Sequence, residues 1–114
     1  MEILITLAGQ SKRFYNAGYK KPKFLLSIGR STVIYEVIKK FDDSDNFHLV
    51  VTEQQIKENK NLIKYIKSLR KNIYINIIKP HNLGPVYSAL QVKTIKDDSS
   101  TVISYCDFLV DWDY

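Results

Sequence analysis

The residues of this chain that can do chemistry are segregated by charge along the sequence. Residues 3–35 contain no acidic side chain, and the basic ones among them are Lys12, Arg13, Lys20, Lys21, Lys23 and Arg30. Residues 97–114 contain no basic side chain, and the acidic ones among them are Asp97, Asp98, Asp107, Asp111 and Asp113. A basic beginning suits an anionic ligand, whereas an acidic end suits a hard divalent cation such as Mg²⁺. A nucleic-acid binder would need the basic segment but has no evident use for the acidic one, so we expect no nucleic-acid partner.

The composition predicts a soluble globular chain with a single domain. Its 114 residues carry a net charge of +5, and 45% of them are hydrophobic and 25% charged, which excludes intrinsic disorder. No apolar run approaches the roughly 18 residues of a membrane-spanning helix, and the first residues resemble a strand more than a signal peptide. The single cysteine, Cys106, cannot form an internal disulfide. We therefore expect a cytoplasmic protein with no membrane partner.

Four short apolar runs predict strands, at residues 3–7, 47–51, 73–78 and 101–106. They are continuous rather than alternating, which is typical of strands that are covered on both faces.

Three helical patterns separate these runs. The first has one apolar stripe, made of Val33, Ile34, Val37, Ile38 and Phe41. The second covers residues 56–69 and follows a capping box formed by Thr52 and Gln55. The third begins at Gly84 and Pro85, and its apolar stripe consists of Val86, Ala89 and Leu90.

This alternation predicts an α/β fold, with a Rossmann-like, mostly parallel sheet and helices on both faces. Ligands bind such sheets beyond the carboxyl ends of the strands. Here those ends are the loops after Leu7, Val51, Ile78 and Cys106.

The first of these loops, residues 8–14, has features of a phosphate-binding segment. Gly9 lets the backbone approach a ligand closely, and Lys12 and Arg13 can add charge-assisted hydrogen bonds. Taken alone, one glycine with two basic residues favours an ordinary basic turn. It lacks the glycines of a Walker A loop and of the GxGxxG dinucleotide fingerprint.

The wider context of this loop resembles a known family. Leu-Ala-Gly-Gln-Ser-Lys-Arg-Phe at 7–14 is followed by Gly-Tyr at 18–19, Lys-Pro-Lys at 21–23, Ile-Gly at 28–29 and Val-Ile at 33–34. This series resembles the opening of the sugar-phosphate nucleotidyltransferases, whose Rossmann-like core is related to the GT-A glycosyltransferase fold. The family opening is L-A-G-x-G-x-R-F/M, and Ser11 stands where that pattern has a glycine.

The resemblance implies roles for the residues of the loop. Its nucleotide-binding residues would be Leu7, Ala8, Gly9, Gln10, Ser11 and Lys12, and the first three of them would contact base and ribose. Arg13 and Lys23 would be catalytic, because they would bind the triphosphate and stabilise charge during transfer.

Two later segments gain meaning from the same resemblance. A glycine-containing turn at the place of Gly84 contacts the nucleotide base in the family, although the turn alone is equally a simple strand-to-helix connection. Asn82 and Ser88 are further candidates there. Asp107, at the end of the fourth strand, matches the family's metal-binding aspartate and would coordinate Mg²⁺.

The histidines and the cysteine are assigned no chemistry. We expect Cys106 to be a buried small hydrophobic residue. His48 begins a strand and His81 lies in a loop, and neither has an evident partner for a catalytic dyad or a metal site.

Together these features predict that residues 1–114 form one nucleotide-binding domain, the amino-terminal part of a longer Mg²⁺-dependent nucleotidyltransferase. The enzyme would transfer a nucleoside monophosphate from a nucleoside triphosphate to a sugar phosphate or a similar phosphorylated metabolite, and release pyrophosphate. Its product would serve polysaccharide or capsule synthesis. We expect the isolated part to bind a triphosphate without turnover, and to hide its exposed sheet by forming a homodimer.

Two alternatives remain open at this point. A GT-A glycosyltransferase would bind a finished nucleotide-sugar and use Asp111 and Asp113, which spell a D-x-D motif. The long basic opening loop argues against it. A non-catalytic nucleotide-binding module is the alternative from another functional class.

Overall fold

A computed structural model describes residues 1–8, 25, 27–28, 30–81, 83–96 and 99–105. In chain order the described elements are β1 (Glu2–Thr6), β2 (Ser27–Ile28), β3 (Ser31–Thr32), α1 (Val33–Lys39), β4 (Asn46–Thr52), α2 (Glu53–Glu58), α3 (Leu62–Leu69), β5 (Ile73–Ile78), α4 (Pro85–Leu90) and β6 (Thr101–Tyr105). Within these ranges no helix is both long enough and apolar enough to pass through a bilayer.

The main sheet contains the four predicted strands in the order β5-β4-β1-β6, and every neighbouring pair is parallel. The chain moves outward from β1 through β4 to β5 and then crosses to the other side of β1 to form β6. The predicted Rossmann-like α/β fold is therefore confirmed. A separate antiparallel pair, β2 and β3, precedes α1 and was not predicted.

One face of the sheet carries the larger core. Alternate residues of the two central strands, among them Ile5 and Phe47, pack against α1 and α3. Helix α1 begins at Thr32, whose hydroxyl accepts a hydrogen bond from the Tyr35 amide, and it buries the predicted stripe residues Ile34, Val37 and Ile38. Full burial of one such side chain stabilises the fold by about 1.5–3 kcal/mol, so this layer accounts for most of the apolar contribution.

The second predicted helix is divided in two, because the chain leaves the helical conformation at Asn59, where φ is −131° and ψ is 85°. The Asn59 side chain donates a hydrogen bond to the Gln55 carbonyl oxygen at 3.1 Å, which closes α2 after six residues. Asparagine competes for helix carbonyls in this way, which makes it a frequent helix terminator. The predicted capping box of Thr52 and Gln55 is confirmed.

The opposite face of the sheet has a smaller apolar cluster, in which Leu4, Ala8, Val50 and Ile78 meet α4 and the segment after it. The predicted stripe of this third helix is wrong. Val86 is 69% exposed and Leu90 79% exposed, whereas the polar Ser88 is only 2% exposed. A helix of six residues can turn any side to the sheet, and α4 turns Ser88 and the small Ala89 inward.

Full coverage of all four strands was also predicted, and it holds for β1 and β4 alone. The outer strands leave large apolar side chains in solvent: Tyr74, Ile77 and Ile103 are 46%, 50% and 60% exposed. The helices lie over the centre of the sheet, so the two edge strands, β5 and β6, receive less cover.

Polar side chains join the small face to the segment after α4. His48 is 1% exposed, and its Nε2 lies 3.1 Å from Glu2 Oε2 while its Nδ1 lies 2.6 Å from Thr94 Oγ1. Asn76 donates to the same Thr94 oxygen at 3.0 Å and accepts from the Lys93 amide at 3.1 Å. His48 therefore has hydrogen-bond partners that the sequence did not indicate. Glu2 and Thr94 hold the His48 ring as a structural link, and the Tyr74 ring stacks on it with ring centroids 5.1 Å apart.

We predict that Thr94→Val destabilises the protein, because the buried His48 Nδ1 would lose its hydrogen-bond partner. A buried polar atom without a partner costs about 1–3 kcal/mol, which urea denaturation followed by circular dichroism can measure. Thr94→Ser keeps the hydroxyl and is the matched control. Equal unfolding free energies for the valine and serine variants would contradict the structural role of this link.

Candidate functional site

The carboxyl edge of the sheet is where the fold concentrates candidate functional residues. Strand order reverses at β1, because β4 and β5 lie on one side of it and β6 on the other. In parallel sheets a reversal of this kind leaves a crevice between the loops that follow the two adjacent strands. Thr6 pairs with Tyr105, so the chain segments leaving β1 and β6 start side by side.

The chain leaves β1 through two well-anchored residues, Leu7 and Ala8. The Leu7 amide donates to the Val50 carbonyl oxygen at 2.9 Å. The Leu7 side chain is 2% exposed and belongs to the larger core. Ala8 is 4% exposed and packs in the small cluster that includes Ala89 of α4. The loop that follows therefore starts from a fixed point between both layers of the protein.

Gln55 completes this anchor from the neighbouring strand-to-helix turn. Its side-chain Nε2 donates to the Leu7 carbonyl oxygen at 2.6 Å, and its Oε1 accepts from the Thr52 amide at 2.9 Å. The Gln55 amide in turn donates to Thr52 Oγ1 at 3.1 Å. One buried side chain thus caps α2 and fixes the backbone at the start of the first loop. The capping pattern identified Gln55 in the sequence, but no local signal indicated its bond to Leu7.

Gly84 forms the turn between β5 and α4. Its φ of 89° and ψ of 174° lie in a region that is essentially restricted to glycine. A Cβ added to Gly84 would meet no atom of the described residues within 4 Å. The backbone conformation therefore requires glycine here, whereas close packing by the described residues does not. Because α4 shares a cluster with Ala8, this turn and the first loop belong to one region.

His81 and Ser88 bracket the same turn and form a pair that was not predicted. His81 Nε2 lies 2.8 Å from Ser88 Oγ, and the Leu83 amide donates to His81 Nδ1 at 3.0 Å. No local signal in the sequence indicated these contacts of His81. His81 and Ser88 are seven positions apart in the sequence, and the turn between β5 and α4 brings their side chains together.

Most of the predicted site residues lie outside the described part of the chain. They are Gly9, Gln10, Ser11, Lys12, Arg13, Lys23 and Asp107, and so are Asn82, Cys106, Asp111 and Asp113. Of the predicted nucleotide-binding residues, the structure describes Leu7, Ala8 and Gly84 and brings them to the same edge. Among the described residues, no three histidine, cysteine, aspartate or glutamate side chains gather into a group that could hold a metal ion.

We predict that Gln55→Met lowers the free energy of unfolding, because it leaves the Leu7 carbonyl and the Thr52 amide without their partner. The expected loss is about 1–3 kcal/mol, measured by urea denaturation. Gln54→Met is the matched control, since Gln54 is exposed on the same helix and bonds only Glu58 among its described contacts. That control should change stability by less than about 0.5 kcal/mol. Identical losses for the two variants would show that Gln55 anchors nothing.

Comparison with known proteins adds one finding to this geometry. No protein-family model and no curated protein matches the sequence. Among solved structures, the fold is similar to that of the nucleoside-diphosphate-sugar pyrophosphorylase from Vibrio cholerae RC9, with a TM-score of 0.74 and 19% sequence identity. The match covers 96% of this chain and 50% of that protein, so this chain spans about half the length of the Vibrio cholerae protein. The likeness establishes the fold.

Proposed function

We propose that this chain is the nucleotide-binding part of a nucleotidyltransferase. The complete reaction transfers a nucleoside monophosphate from a nucleoside triphosphate to a sugar phosphate or a similar phosphorylated metabolite. The observation that carries the proposal is that the chain is firmly anchored where it leaves β1, at the point where the strand order reverses. There the chain enters a loop whose sequence resembles the triphosphate-binding segment of the sugar-phosphate nucleotidyltransferases. The fold likeness to a nucleoside-diphosphate-sugar pyrophosphorylase supports the same reaction class.

The first loop supplies most of the binding groups in this proposal. Leu7 fixes its origin through hydrogen bonds from its amide to the Val50 carbonyl oxygen and from the Gln55 side chain to its own carbonyl oxygen, and Ala8 adds apolar packing. Gly9, Gln10, Ser11 and Lys12 follow directly and bind the nucleotide. Gly84 offers its open side to the base, on a helix that packs in the same cluster as Ala8.

Arg13 and Lys23 are the proposed catalytic residues. An oxygen of the acceptor phosphate attacks the α-phosphorus, the bond from that phosphorus to the bridging oxygen breaks, and pyrophosphate leaves. No protein nucleophile is needed, so the contribution of the protein is positioning and neutralisation of charge. Two cations beside the triphosphate fit that requirement, and their type and position in the sequence match the resemblance described above.

Asp107 is the proposed ligand of Mg²⁺. It stands two positions after Tyr105, which pairs with Thr6 of β1, so it follows the strand that borders the crevice. A carboxylate fits Mg²⁺, which takes one or two carboxylates in addition to phosphate oxygens and water. When bound, Mg²⁺ neutralises charge on the phosphates. Asp111 and Asp113 lie further along the chain and are the residues that a glycosyltransferase would use instead.

We predict that Arg13→Ala and Lys23→Ala each weaken nucleoside triphosphate binding by roughly ten- to a hundred-fold, the equivalent of about 1.5–3 kcal/mol for a charge-assisted bond. Nucleoside binding should change little, because a nucleoside carries no phosphate. Isothermal titration calorimetry with both ligands measures the difference.

Lys57→Ala is the matched control for these two variants, because Lys57 is an exposed cation on α2. It should bind the triphosphate as the parent protein does. An equal loss in all three variants would show that net charge, and not a specific phosphate site, attracts the ligand.

We predict that Asp107→Asn removes the Mg²⁺-dependent part of triphosphate binding while the fold stays intact. The amide keeps the shape of the side chain and removes the charge that attracts the cation. Titrations in Mg²⁺ and in EDTA should then give the same affinity.

The double variant Asp111→Asn/Asp113→Asn is the control and should retain the difference between Mg²⁺ and EDTA. The opposite pattern would favour a glycosyltransferase, especially if the parent protein also bound nucleotide-sugars better than triphosphates.

A further inference from the structure

We propose that His81 is a positioning residue that fixes the Gly84 turn in the conformation that receives the nucleobase. The inference rests on the proposed function for the identity of the ligand. The contacts of His81 themselves are independent of that function.

The His81 ring connects three parts of the turn. Its Nδ1 accepts a hydrogen bond from the Leu83 amide at 3.0 Å. Its Nε2 lies 2.8 Å from the hydroxyl oxygen of Ser88 in α4. The Tyr87 ring meets it edge to face, with centroids 4.5 Å apart and planes at 69°. The His81 side chain is thus hydrogen-bonded both within the turn, to Leu83, and to the helix that follows the turn, through Ser88.

These contacts select one form of the imidazole. A backbone amide can only donate, so the Nδ1 that faces Leu83 must be unprotonated. The proton of the neutral ring is then on Nε2, and it is donated to Ser88 Oγ. Because His81 gives a proton to the serine oxygen and does not take one, the pair is not a nucleophile with its general base. The arrangement is a hydrogen-bonded clamp.

The Gly84 turn needs a restraint of this kind to keep its conformation. Glycine populates many backbone conformations, so Gly84 can reach its φ of 89° but does not by itself remain there. Helix α4 adds little apolar restraint, since Val86 and Leu90 are mostly exposed. Ser88, in contrast, is 2% exposed. The buried end of the clamp lies on the short helix that follows the glycine, so among the described side chains the histidine bridge restrains the turn from both of its ends.

Loss of the clamp should weaken binding of the nucleobase and leave binding of the phosphates unchanged. A turn that must be ordered on binding weakens affinity by about ten-fold for each backbone residue that is fixed. In the proposed function the phosphates are bound by the first loop, which is a separate segment of the chain from the Gly84 turn. A ligand without a base is therefore the right comparison.

The experiment measures dissociation constants for nucleoside triphosphates and for inorganic triphosphate, each with Mg²⁺, by calorimetry. His81→Phe keeps an aromatic ring beside Tyr87 but removes both hydrogen bonds, and we expect about ten-fold weaker nucleoside triphosphate binding. Inorganic triphosphate should bind as before. His81→Asn places an acceptor oxygen near the position of Nδ1, so it should recover part of the affinity. Ser88→Ala should give an intermediate loss, and Val86→Ala, on the exposed side of α4, should give none.

Nuclear magnetic resonance provides a test that does not depend on any nucleotide. Long-range ¹H–¹⁵N spectra of the parent protein should show the proton of His81 on Nε2. The Leu83 amide should exchange with solvent at least several-fold faster in His81→Phe than in the parent. A proton on Nδ1, or unchanged Leu83 exchange, would overturn the clamp.

The two sets of measurements separate the possible failures. Equal loss of nucleoside triphosphate and inorganic triphosphate binding in His81→Phe would overturn the role in base positioning, and so would no loss of either. A parent protein that binds no nucleoside triphosphate would overturn the proposed function, and the nucleotide role of His81 with it. The exchange of Leu83 would still report on the clamp in that case.

Discussion

The parallel pairing of β1 with β4 on one side and with β6 on the other is the constraint on which the rest of the structure depends. Pairing on both edges and packing on both faces leave β1 almost wholly buried, so its exit point is fixed. The reversal of strand order on either side of it opens the crevice there. Leu7 and Ala8, which follow β1, consequently leave the sheet from a rigid base at this point.

The two faces of the sheet are held by different kinds of interaction. One is closed by apolar packing of α1 and α3, whereas the other combines a small cluster with polar bridges through His48 and Thr94. Every buried side-chain nitrogen and oxygen in the described residues has a hydrogen-bond partner. Because hydrogen bonds are directional, those on the polar face fix the orientations of the side chains that they join.

Local patterns in the sequence predict the elements of this fold but not the bonds between them. The strands and the Thr52–Gln55 capping box follow from residues that are close in the chain, and the parallel pairing of the strands follows from their alternation with helices. The bond from Gln55 to Leu7 joins residues 48 positions apart, and no periodicity reports it. Similarly, a six-residue helix has too few apolar residues to define its inward side, which is why Ser88 faces the sheet and Val86 does not. The roles of Arg13, Lys23 and Asp107 stay predictions, because the structure does not describe those residues.

The position of β1 has a consequence for how the chain acquires its fold during synthesis. β1 leaves the ribosome well before its partner β6, because Glu2 pairs with Thr101, close to the other end of the described residues. At a translation rate of about 5–20 residues per second, one edge of this apolar strand stays unpaired for several seconds. Contacts so distant in sequence also form slowly. Of the four strands in this sheet, β1 is therefore the first to be made and the last to be completed, and in the interval its unpaired apolar edge is open to aggregation.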